Sequence, residues 1–174
     1  MGKIIINNIL RYPVFIVLQV FFFKNIGYYN LAAPFPYVLF LLLLPIGISN
    51  LPLYLIGLFT GITIDIFYDT LGIHATACIV LCAFRIFFHN ITLDRKFDKS
   101  FITPTLSVMG FKWFASYAFL GVFIHHLFLF FLEVFSFQNI SITLLSTLMS
   151  SIFTFSLILL ISLFFYKKKS RILE

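Results

Sequence analysis

Long apolar runs separated by a few short polar breaks make up most of this 174-residue chain. The runs are apolar on all sides. They do not alternate with the two-residue period that membrane strands need in segments of about ten residues, so they predict transmembrane α-helices. The breaks predict six spans in a compact all-α bundle. The first covers about 8–27, with Pro13 in its opening turn, where a missing N–H is tolerated. The second covers 36–48 and is short or kinked at Pro45; the third covers 52–68, after Ser49-Asn50-Leu51-Pro52. The last three cover 71–88, 106–132 and 142–166, each long enough to cross about 30 Å of hydrocarbon. A basic tail, 167–174, follows. Tyr12 to Phe23 runs into Lys24-Asn25-Ile26-Gly27 without a small-residue cleavage site, so the first segment is expected to remain as an anchor.

Composition agrees with the pattern: 61% of residues are apolar and 10% charged, and mean hydropathy is +1.09. Six spans consume the length and leave no sizeable domain outside the bilayer. Cys78 and Cys82 both fall inside an apolar run, so they imply no disulfide framework.

The net charge of +6 changes meaning in this setting. With both termini cytoplasmic, Lys167-Lys168-Lys169-Ser170-Arg171, Lys3, Arg11, Arg85, Arg95, Lys96, Lys99 and Lys112 all lie at or towards the cytoplasm, and Lys24 alone lies outside. The charge therefore reads as orientation and contact with anionic lipid, not as nucleic-acid binding. The loop 90–105, with Asp94, Arg95, Lys96, Asp98 and Lys99, is the longest polar connection and either a cytoplasmic contact surface or a solvated loop that sets topology.

The unusual chemistry is concentrated in GLFTGITIDIFYDTLGIHATA, residues 57–77. Gly57, Gly61, Asp65 and Asp69 are spaced by four and share one face of the third helix. The Gly57/Gly61 pair lets another helix backbone approach closely. An aspartate near the bilayer centre costs about 2.5–3.5 kcal/mol, so Asp65 is expected to face the bundle or a partner; local water exposure and proton chemistry are the other readings. Asp69 or Thr70 suits an N-cap for the next helix, with Leu71-Gly72 making the turn. His74 is placed to hydrogen-bond Asp65 or Asp69 across that turn. His74, Cys78 and Cys82 have metal-ligand spacing, but no converging fourth ligand is identifiable, so no metal and no cofactor are expected. His125, His126 and Glu133 read as interfacial anchors. The 26 phenylalanines and 8 tyrosines are spread through the chain as lipid-facing or packing bulk.

Enzyme signatures are missing. Tyr68-Asp69 matches half of the intramembrane aspartyl protease pattern, but no G-x-G-D follows, and G-x-S-x-G, H-E-x-x-H and a P-loop are absent from the sequence.

Gly57-x-x-x-Gly61-x-x-x-Asp65, followed by Leu71-Gly72-Ile73-His74-Ala75 at the start of the next helix, resembles MreD, the rod shape-determining membrane protein family of bacteria. Beyond these residues the likeness is one of layout: an N-terminal span, the apolar run at Pro36-Tyr37-Val38-Leu39, a basic loop and two final spans. The sequence departs from many members in having Phe67-Tyr68-Asp69-Thr70 where they carry a Gly/Ser/Pro-rich turn. The resemblance implies a non-enzymatic inner-membrane scaffold of the elongation (rod) complex that supports peptidoglycan synthesis. Its partners would be MreC, and in the wider complex MreB, RodA and a penicillin-binding protein. Gly57, Gly61, Asp65, Asp69, Leu71, Gly72 and His74 would serve helix packing or partner docking. The family fold is similar to the substrate-binding subunits of energy-coupling-factor vitamin transporters, which makes a solute-binding subunit the alternative. Those subunits carry a small-x-x-x-small pair on the first helix, and Pro13 to Gln19 has none.

Overall fold

The computed structural model describes residues 2–27, 32–93, 102–135 and 140–166; the charged part of the 90–105 loop and the basic tail lie outside the described residues. Within them the chain is all-helical. α1 spans Gly2–Val17 and continues as a π-helix over Leu18–Phe23; α2 is Val38–Leu42, α3 Asn50–Tyr68, α4 Ile73–Thr92, α5 Leu106–Met109, α6 Phe111–Val134 and α7 Ile140–Phe164. Among the described residues, five helices are long and apolar enough to cross a membrane: α1 with its π extension, α3, α4, α6 and α7. α4 packs against both α3 and α6, and α7 against α6.

Three elements depart from the sequence expectation. Helix 1 begins at Gly2, so Pro13 lies inside it and not in its opening turn. The expected span 106–132 is divided at Gly110, whose φ of +80° only glycine adopts freely, into the short α5 and the long α6.

The largest departure is the expected span 36–48, which is not a spanning helix. Only Val38–Leu42 is α-helical, and the flanking residues are turns and irregular backbone. The segment is nonetheless buried almost throughout, from Pro34 to Ile46. Non-helical backbone at membrane depth is tolerated only where protein surrounds it and satisfies its polar groups. Here side chains from four other helices do so. The Ala33 and Phe35 N–H groups donate to Ser150 Oγ (2.9 Å) and Thr154 Oγ1 (3.0 Å) of α7. The Tyr37 N–H reaches Gln19 Oε1 at 3.4 Å. Further along, the Leu42 carbonyl accepts from Tyr117 Oη of α6 (3.1 Å), and the Leu44 carbonyl from Arg85 Nη2 of α4 (2.6 Å). The segment thus runs through the interior, from the level of α4's first turn to near its last.

Candidate functional site

The turn joining α3 to α4 is held by Asp65, one turn short of the end of α3. Asp65 is 5% exposed. Oδ1 accepts from the His74 N–H and Oδ2 from the Ala75 N–H, both at 3.0 Å, and the Thr70 hydroxyl donates to Oδ1 as well. His74 and Ala75 are the second and third residues of α4, whose N–H groups have no partner within the helix. A negative charge held there is favoured by the positive end of the helix dipole. Asp65 therefore caps the following helix from within the preceding one, which explains a buried carboxylate with no cation beside it among the described residues.

The capping role expected of Asp69 or Thr70 is corrected accordingly. Asp69 closes α3 in the left-handed region at φ 55°, its N–H donating to the Asp65 carbonyl. Gly72, at φ +80°, precedes α4 and makes no side-chain cap. Leu71 stands fully exposed at the tip. Lys24 completes this end: its ammonium donates to the Phe67 carbonyl and lies 5.4 Å from the centre of the Tyr68 ring.

Below the turn, α3 and α4 meet at the glycines. A Cβ at Gly61 would lie 2.2 Å from the Ala75 Cα and 2.5 Å from its N, so backbone meets backbone there. A Cβ at Gly57 would lie 2.6 Å from Cys82 Sγ and 3.4 Å from the Cys78 carbonyl oxygen. The small-residue face is occupied by α4 of the same chain. That contact also brings Asp65 within reach of the first turn of α4.

His74 contributes to the site twice. Its backbone N–H bonds Asp65, whereas its ring turns away from both aspartates, Nδ1 lying 3.0 Å from Tyr37 Oη. Tyr37 Oη lies 2.8 Å from His125 Nε2 and accepts weakly from Cys78 Sγ at 3.8 Å. A hydroxyl has one proton, so with neutral rings one histidine donates to Tyr37 and the other accepts from it. His126 adjoins this group, with Nδ1 at 2.8 Å from the Val122 carbonyl and Nε2 at 3.1 Å from Thr154 Oγ1. The carbonyl can only accept, so in the neutral ring Nδ1 carries the proton and Thr154 donates to Nε2 while accepting from Phe35. Phe35 packs edge-on against His74 and His126 at 5.4 Å each. His125 and His126 are both fully buried, not interfacial anchors. Glu133 is exposed near the end of α6.

Cys78 and Cys82 donate to different oxygens, Tyr37 Oη and the Leu53 carbonyl. No group of three or more His, Cys, Asp or Glu side chains that could hold a metal ion occurs among the described residues.

Several members of this interior network were not singled out as site residues from the sequence. Gln19 is fully buried within the π-helical stretch, its Nε2 donating to the Pro34 carbonyl (3.1 Å) and Tyr68 Oη (2.8 Å). A lone amide in the apolar run Tyr12 to Phe23 is a legible signal, since such a group must find interior partners. Thr147, Ser150, Ser151 and Thr154 carry a similar signal: spaced by three and four, they form a buried hydroxyl face on α7. Arg85, counted at first only as a cytoplasmic charge, is 1% exposed. Tyr37 had no distinguishing local signal.

Comparison of the chain with protein family models, curated proteins and solved structures finds no match to any of them.

Proposed function

We propose that this chain is a non-enzymatic, MreD-like scaffold of the bacterial cell-elongation complex, docking MreC and through it MreB, RodA and a penicillin-binding synthase. In this reading it is a multi-pass protein of the inner membrane with both termini in the cytoplasm. Segment 34–48 is its second crossing, which makes an even number of passages with the five long helices. The positive-inside distribution then puts the α3–α4 turn on the outer face.

The observation that carries the reading is the tip of that turn. Leu71 is fully exposed, yet the backbone on either side is held by Asp65, through the Thr70 N–H on its carbonyl and the His74 and Ala75 N–H groups on its carboxylate. A rigid apolar tip within the motif that resembles MreD is suited to receive a partner, because little ordering entropy is lost on contact. The glycines are already packed against α4, so docking is assigned to the tip and not to the Gly57/Gly61 face. Co-purification of MreC with Leu71→Asp tests this: recovery falls several-fold while the thermal midpoint of the scaffold stays unchanged. Undiminished recovery with Leu71→Asp removes the tip from the interface. An enzymatically active C-terminal alkaline phosphatase fusion would overturn the cytoplasmic placement of the terminus.

The fully buried His125 Nδ1 beside Tyr37, which has no hydrogen-bond partner among the described residues, favours one second reading, a solute-binding subunit of the energy-coupling-factor type. Mass spectrometry of the purified protein separates the two, since a stoichiometric vitamin-sized solute supports the transporter reading.

A further inference from the structure

The bundle end where α3 begins and α4 finishes contains a pocket of about 260 Å³. Apolar Leu53 and Ile86 line it together with polar Asn50, Arg85, His89 and Asn90. Arg85 is its charged member. Nε donates to Tyr117 Oη at 2.8 Å, and Nη2 to the Leu44 and Pro45 carbonyls at 2.6 and 3.4 Å. All three acceptors are uncharged oxygens. Nη1, with two further N–H donors, is buried and has no hydrogen-bond partner among the described residues.

A guanidinium cannot shed its charge as a lysine can, and a buried charge met only by neutral dipoles is costly. An anion in the adjoining pocket answers both needs, supplying the countercharge and accepting from the free fork. Position narrows the class of anion. Arg85 lies seven residues before the end of α4 at Thr92, about 10 Å along the axis. That depth suits a headgroup meeting its acyl chains. Next to Asn50 and Asn90 in sequence, Leu51 and Ile91 are exposed, as is Phe87, so apolar surface adjoins the polar pocket. Basic pockets between helices on the cytoplasmic side of a bilayer take phospholipid headgroups in this way.

We propose that this pocket holds the phosphate of an anionic membrane phospholipid, with Arg85 as its anchor. The inference rests on membrane insertion and on the cytoplasmic orientation proposed above for this end of the bundle, and not on the scaffold role. It is tested on the full chain in neutral detergent by native mass spectrometry with phosphatidylglycerol, phosphatidylcholine or inorganic phosphate. The wild-type chain retains phosphatidylglycerol over phosphatidylcholine, and Arg85→Gln weakens that retention by about tenfold or more, as expected for one lost charge-assisted contact. Asn90→Trp, at an exposed lining position, narrows the pocket and weakens retention with the fold intact; it decides the matter if Arg85→Gln does not fold. Displacement of the lipid by millimolar inorganic phosphate overturns the lipid source while supporting the phosphate chemistry. Equal retention of both lipids, retention unchanged in the folded variants, or a wild-type chain that binds no probe overturns the proposal. The last result would point to an acidic segment of a partner protein.

Discussion

The two ends of the buried segment 34–48 handle charge in opposite ways. At one end the Asp65 carboxylate is matched by two backbone N–H groups and a hydroxyl within ten residues of it, and the neighbouring Tyr37, His74 and His126 are bonded to one another or to the backbone. At the other, Arg85 lines a pocket and, among the described residues, meets only neutral oxygens and has no partner for its buried Nη1. A charge satisfied inside the chain strengthens the fold, whereas one satisfied in part retains capacity for something outside it. On this view the Asp65 end is structural and the Arg85 end is open to a ligand.

That contrast is breakable by substitution, and Gly61 should give the largest effect. Gly61→Leu puts a branched side chain where even a Cβ would lie 2.2 Å from the Ala75 backbone, so α3 and α4 must separate. Overpacking against immobile backbone costs about 3 kcal/mol or more; the expected readout is loss of monodisperse protein on size exclusion. A well-behaved Gly61→Leu protein would show that the glycine contact is dispensable.

Asp65→Leu leaves two helix N–H groups and the Thr70 hydroxyl without their acceptor, at a cost of about 3 kcal/mol. Asp65→Asn keeps one acceptor oxygen and loses less, about 1–2 kcal/mol. Equilibrium unfolding in mixed micelles should rank leucine below asparagine below wild type; the reverse ranking would mean that the carboxylate is strained rather than capping.

Tyr37→Phe removes the hydroxyl shared by His74 and His125 and costs about 2 kcal/mol by the same measurement. Gly121→Ala is milder, because its Cβ would meet only side-chain ends of Leu42, Phe84 and Leu81 at 3.0–3.3 Å, and such ends can shift. About 1 kcal/mol or less is expected. The smallest change in stability belongs to Asn90→Trp at the opposite end, within about 0.5 kcal/mol of wild type. Were Asn90→Trp as destabilising as Asp65→Leu, the distinction between a structural end and an open end would fail.

The parts of this fold that were legible in sequence are those that depend on local chemistry. All-round apolar runs marked the five long helices to within a few residues, except for the start of α1 and the break at Gly110. The four-residue spacing of Gly57, Gly61 and Asp65 put them on one face, and the α3 side of the turn was clear. Which aspartate would cap α4 was not. Asp69 is nearer in sequence, but its left-handed backbone closes α3, and the tight glycine contact carries Asp65 to the N–H groups instead.

What only tertiary structure decided is the interior. Residues 36–48 are as apolar as a spanning helix, because hydropathy sums side chains and is blind to where backbone hydrogen bonds are made. Their irregular path is tolerated because acceptors and donors arrive from Gln19, Arg85, Tyr117, Ser150 and Thr154, up to 119 residues away along the chain. The buried positions of His125 and His126 and the spare Nη1 of Arg85 have the same origin. Residence in the membrane follows from side chains taken one after another, but the matching of buried polar groups is a property of pairs that folding alone brings together.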